Sequence, residues 1–161
     1  MSQSDCRAKM SYFGWLRKCG ATNRLSNFVA VRLKEDKAPA FTEARRYFLN
    51  AEDLLRKAGR HNGNFKDKKY VRLAGRAAWH AVLMAVDEYL KQKDIVKRKR
   101  RPTKDWYSDQ LARLNKKLST AFNNAYEGLH LHLGYDGGQV VQAARLFLHQ
   151  GKQVIELCRK G

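Results

Sequence analysis

Asn123, Glu127 and His130 stand four and three residues apart, a spacing that sets side chains on one line of an α-helix. A carboxylate beside an imidazole gives a group that can donate or accept a proton near neutral pH. An amide on the same line adds donors and an acceptor for a bound oxygen. These three are the candidate catalytic residues, and the chemistry they suggest is proton transfer by a His130 that Glu127 orients. The plain alternative is a polar stripe that faces solvent or a neighbouring helix. His132 lies about 200° around a regular helix from His130 and continues the apolar line of Ala125 and Leu129. The pair is therefore poor evidence for a metal, and none is expected; His132 reads as a hydrogen-bonded core histidine. Gly128 beside the stripe would let another helix or a ligand come close. Tyr135, Asp136, Gly137 and Gly138 read as a turn, with Asp136 as the N-terminal cap of the helix that follows.

A second line is basic. Arg72, Arg76 and His80 recur at steps of four and, if they faced the first stripe, would converge on a phosphate-sized site. The run Lys97-Arg98-Lys99-Arg100-Arg101, with Lys104 just beyond, is the densest block of charge. Such a block can bind phosphates without reading sequence, or it can be an inert solvated loop. Trp79, Trp106 and Tyr107 could stack on bases, although helical spacing favours a core role.

The elements that must carry these residues are helices. Ala44, Tyr47, Phe48, Ala51, Leu54, Leu55 and Ala58 recur at threes and fours and end at Gly59, which predicts a helix over about 42–58. The turn-forming loop Arg60-His61-Asn62-Gly63-Asn64 follows. Val71, Ala74, Gly75, Ala78, Val82, Ala85 and Tyr89 predict a second helix over 67–91, whose small residues permit a close neighbour. After the basic linker, broken by Pro102 and capped by Thr103, a third stripe runs from Tyr107 through Leu111, Leu114, Leu118, Phe122 and Ala125 to Leu129, a single helix over 104–133. Val141, Ala144, Phe147, Leu148, Gly151, Val154, Ile155 and Cys158 give a fourth over 138–159. Four amphipathic helices with short connections predict an all-α antiparallel up-down four-helix bundle over 41–161, and no strand alternation is visible there. Residues 1–40 show no sustained period; apart from a possible short strand at 29–33, they are expected to be an irregular basic extension.

Composition bounds the rest. The 161 residues carry 33 Lys and Arg against 15 Asp and Glu, a net charge of +18, which attracts polyanions and says nothing of fold. The excess peaks in residues 91–104, with eight basic groups to one acidic. Cys6, Cys19 and Cys158 are odd in number and widely spaced, against a disulfide or zinc framework and for reduced thiols. No signal-like or membrane-spanning run is present, so a soluble cytoplasmic protein without membrane contact is expected.

Three segments, Ala44-x-x-Tyr47-Phe48-x-x-Ala51, Asp67-Lys68-Lys69-Tyr70-Val71-x-x-Ala74-Gly75 and Ala125-Tyr126-x-x-Leu129-His130-Leu131-x-x-Gly134-Tyr135-Asp136-Gly137, resemble a bacterial family of the HEPN-like superfamily. That resemblance covers about three quarters of the chain. It implies a four-helix bundle, often dimeric, whose members bind RNA or nucleotides, cleave RNA, or pair with nucleotidyltransferase-type partners. Ribonuclease members carry an Arg separated from the His by four to six residues. Here Asn123, Asn124 and Ala125 precede His130, and an amide cannot replace the permanent charge of a guanidinium at a phosphoryl transition state. Separately, Ser11-Tyr12-Phe13-Gly14-Trp15-Leu16-Arg17-Lys18-Cys19, with Leu25 beyond it, resembles the C-terminal tail of retroelement-type reverse transcriptases.

The expectation is a non-catalytic, low-specificity nucleic-acid-binding module without cofactor, for RNA more than DNA, contacting phosphates through Arg72, Arg76, His80 and the 97–104 run. The alternatives are a HEPN-type ribonuclease lacking its Arg, or an accessory protein that docks an acidic partner such as a nucleotidyltransferase or reverse transcriptase. A homodimer or higher homo-oligomer is expected from the exposed bundle faces.

Overall fold

A computed structural model describes residues 39–95 and 102–161. The 1–38 segment, with the possible strand at 29–33 and the Ser11–Cys19 run, and the block Lys97–Arg101 lie outside the described residues. The first helix, α1, spans Pro39–Lys57 and buries Phe41, Ala44, Phe48, Ala51 and Leu55, the stripe read from the sequence. It begins earlier than the predicted 42, because proline is well suited to a first turn whose N–H groups have no helical partner anyway.

Where no strand was expected, a small hairpin stands: β1 (Arg60–His61) pairs antiparallel with β2 (Asn64–Phe65). Strands of two residues are too short to show an alternation. The signal lay in the turn instead. Asn62 and Gly63 both have positive φ, 44° and 76°, the two-residue hairpin turn that Asn-Gly favours. Phe65 is buried and anchors the hairpin.

Helix α2, Lys68–Gln92, starts where the Asp67 carboxylate accepts from Lys69 N at 2.8 Å. It buries residues on more than one face, including Val71, Gly75, Trp79, Val82 and Leu90, as befits a helix packed against α1, the π-helix and the C-terminal helix. Thr103 caps α3 (Lys104–Leu114) by accepting from Trp106 N, as expected.

The single helix expected over 104–133 is three elements. Asn115 takes an extended backbone (φ −156°, ψ 102°), ends α3 through its N–H on Leu111 O, and opens α4 (Lys116–Ala125) by accepting from Leu118 N. The stripe missed this break because Leu111, Leu118, Phe122 and Ala125 are all buried on both sides of it. From Tyr126 to Asp136 the chain is a π-helix of eleven residues, with i→i+5 bonding and a wider turn. Buried positions now recur every fourth residue, Ala125, Leu129 and Leu133.

Helix α5 runs Val141–Lys160, not 138–159, and Asp136 does not cap it. The π-helix ends there, with Gly137 left-handed at φ 69°. The hairpin serves in its place: Val141 N donates to Gly63 O, Asn64 bridges Val140, and Phe65 and Gln139 exchange two hydrogen bonds of 2.8 and 2.7 Å. The described chain is all-α apart from this hairpin. Among the described residues no helix is long and apolar enough to cross a membrane.

Candidate nucleic-acid interface

Helix α2 and the end of the π-helix meet through glycine. A Cβ on Gly75 would strike the backbone of Gly134 and Leu133, so the two helices touch main chain to main chain. This is the close approach that the small residues of α2 allowed. Next to Gly75 on α2, Arg76 donates from Nε to the Gly134 carbonyl at 3.3 Å. The stems of Lys68 and Arg72 lie against Gly137, where a Cβ would meet both. The result is a cleft of about 450 Å³ lined by Lys68, Arg72, Arg76, Tyr135 and Asp136.

The cleft gathers cations at close range. Several surface cations have carboxylate partners: Arg46 with Glu43, Arg56 with Asp53, Lys152 with Glu52, Arg159 with Glu156. Among the described residues no carboxylate comes within 4.0 Å of Lys68, Arg72 or Arg76. Three neighbouring like charges repel one another, and an anion would relieve that repulsion. Tyr135, 73% exposed, forms the opposite wall with Asp136.

Of the residues singled out in the sequence, Arg72 and Arg76 are brought together here and His80 is not. One turn further along, His80 sets its ring edge-on to Tyr47 with centroids 4.8 Å apart. Lys104 is half-buried, 3.7 Å from an Asp105 oxygen and 5.8 Å from the centre of the Tyr126 ring. Lys97, Arg98, Lys99, Arg100 and Arg101 lie outside the described residues.

Asn123, Glu127 and His130 stand in three different surroundings. Asn123 is engaged with Ser108, each side chain donating to the other at 2.9 and 3.2 Å. Glu127 is exposed. His130 packs its ring against Trp79 and Tyr126, with centroids 5.7 and 5.2 Å away. The line was drawn for an α-helix, and the wider π-turn begins inside it, at Tyr126. The same change moves His132 off the core line, which continues through Leu133 instead. His132 is half-buried, edge-on to Phe147 at 5.2 Å and under Gly138. Gly128 serves packing, since Phe147 fills the space a Cβ would take. Trp79 and Tyr107 are core, as their spacing suggested, and Tyr107 donates to Asp87 Oδ1 at 2.7 Å.

Three cleft residues went unselected, Asp136 among them, which was read as a cap. Lys68 extends the Arg72–Arg76 line one step back and was legible by the same count of four. Tyr135 was read only as a turn residue, and nothing in its spacing marks its exposure. Among the described residues no cluster of three or more potential metal ligands occurs.

Residues 39–160 match the model of a family described as a domain of unknown function, DUF5618. A solved structure, a protein of unknown function from Dyadobacter fermentans, is similar at 36% identity and a TM-score of 0.66, over 76% of this chain and 94% of that one. No curated protein matches.

Proposed function

We propose that this chain, which belongs to the DUF5618 family, is a non-catalytic nucleic-acid-binding module of low sequence specificity, built on a HEPN-like helical arrangement. One observation carries the reading: Lys68, Arg72 and Arg76, without carboxylate partners among the described residues, line one cleft beside an exposed tyrosine. The net charge of +18 adds long-range attraction to a polyanion. RNA rather than DNA is the reading that the HEPN-like resemblance favours. The ribonuclease alternative draws no support from the geometry, because Asn123 is held by Ser108 and the His130 ring packs against Trp79 and Tyr126.

The test is fluorescence anisotropy with a labelled RNA and a labelled DNA of equal length, titrated at several salt concentrations. If the three cleft cations neutralise three phosphates of a single strand, affinity falls at least roughly 20-fold between about 50 and 200 mM salt. Lys68→Ala/Arg72→Ala/Arg76→Ala is expected to weaken binding at low salt by ten-fold or more and to flatten the salt slope. Arg76 also holds Gly134, so Lys68→Ala/Arg72→Ala, which leaves that bond, is measured alongside. No binding of either nucleic acid at low salt, or variants that keep both the affinity and the slope, would refute the reading.

A further inference from the structure

We propose that the cleft takes a single-stranded segment, one base stacked on Tyr135 and the flanking phosphates on Lys68, Arg72 and Arg76; this rests on the nucleic-acid reading above and narrows its ligand. The two walls differ in chemistry. Helix α2 supplies three cations, and the turn out of the π-helix supplies an aromatic ring and a carboxylate. A bare phosphate would have no use for the ring and would be repelled by Asp136. A nucleotide matches both walls, with its phosphate toward α2 and its base toward Tyr135, where Asp136 can accept from a base amino group or a ribose hydroxyl.

Tyr135 is placed for stacking. Its neighbour Gly134 is pressed against Gly75, so that the backbone is fixed while the ring stays largely in solvent. On the π-helix, exposure recurs at Glu127, Leu131 and Tyr135, every fourth residue opposite the buried line. The ring at the end of that row is the one beside the cations. An exposed aromatic face next to positive charge is what sequence-tolerant single-strand binding uses.

Size and spacing agree. A cleft of about 450 Å³ lies in the range of small-ligand sites, roughly 300–1,000 Å³, and has room for a nucleotide. Residues four apart on a helix rise about 6 Å, so the three cations are stepped on the scale of successive nucleotides. In a duplex the base faces are already stacked, so none is free to lie on Tyr135 without unstacking and unpairing.

The experiment uses the full chain with three labelled RNAs of equal length at one salt concentration: oligouridine, an abasic ribose-phosphate strand, and a duplex. The wild type is expected to prefer oligouridine to both others. Tyr135→Ala should weaken oligouridine binding by about 5- to 150-fold, the worth of one stacked base, while leaving the abasic strand and the duplex unchanged. Tyr135→Phe should restore wild-type affinity. Tyr135 is exposed, so circular dichroism should show all variants folded. Equal affinity of Tyr135→Ala and wild type for oligouridine overturns the proposal, as does a wild type that binds duplex or abasic strand equally well. If those failures occur while Lys68→Ala/Arg72→Ala still loses affinity, phosphate binding stands and only stacking falls. If no RNA binds at all, this proposal falls, and the nucleic-acid reading falls with it when DNA does not bind either.

Discussion

Gly75 shows how much one missing methyl can decide. Any Cβ there meets backbone atoms of Gly134 and Leu133 rather than the yielding end of a side chain. Gly75→Ala gains up to about 1 kcal/mol of helix propensity but must push the helices away from each other, a strain of typically about 1–3 kcal/mol. The expected outcome in urea denaturation is a net loss of stability together with weaker RNA binding, since Arg76 and Tyr135 flank the contact. Cys158 makes a different prediction. Burial in α5 pushes its thiol from an ordinary value of 9.0 up to about 12, and burial followed by the Cys158 charge raises the nearby Tyr89 phenol. A group whose folded value is raised contributes stability that is full below its unfolded value and lost as pH rises toward the folded one. Unfolding free energy should therefore fall from about pH 9 to about pH 12, and Cys158→Ala should fall less over that window. The same burial predicts a native thiol unreactive to an aromatic disulfide reagent at about pH 8 and reactive in denaturant.

At the scale of the element, the π-helix sets both the core and the cleft. Its wider turn replaces the α-helical line Ala125, Leu129, His132 with Ala125, Leu129, Leu133. This register can be tested by a pair of truncations. Leu133 is wholly buried, and Leu133→Ala should cost about 2–5 kcal/mol. His132, half-buried against Phe147, should cost less than about 1.5 kcal/mol on truncation, in the range of changes away from the packed core. Equal costs, or the reverse order in urea unfolding, would return the segment to α-helical register. The hairpin is the other element whose small size conceals its role. It hands Gly63 O and the Phe65 backbone to the start of α5, doing there what a capping side chain does elsewhere.

Across the whole molecule, charge acts at two ranges. The cleft holds a few cations in fixed positions, whereas the block Lys97–Arg101 adds five charges in sequence. Replacing those five by serine should lower the slope of log affinity against log salt by up to roughly 3.5, at about 0.7 per single-strand phosphate contact. Because that block carries no aromatic ring, the preference for oligouridine over duplex should survive the change. Loss of the preference with the charges would place the single-strand contact on the linker rather than at Tyr135.

The sequence by itself determined the helical class, the faces of α1, α2 and α5, the Thr103 cap and the line that carries Arg72 and Arg76. Each follows from a repeat of three and four or from a local side-chain-to-backbone bond, which neighbouring residues are enough to specify. Apolar spacing in the third stripe fits a straight helix as well as a broken one, so neither the Asn115 break nor the π-turn was legible in it. The break rests on a local cap, Asn115 accepting from Leu118 N, that the stripe hid; the π-turn lies where Gly75 and Phe147 press on Gly134 and Gly128. The assembly of Lys68, Arg72 and Arg76 with Tyr135 and Asp136 belongs to the same category. Some sixty residues separate the two walls, and only the meeting of Gly75 with Gly134 brings them together. For Asn123, Glu127 and His130 local spacing assumed one helical period throughout, whereas from Tyr126 the chain takes a wider one.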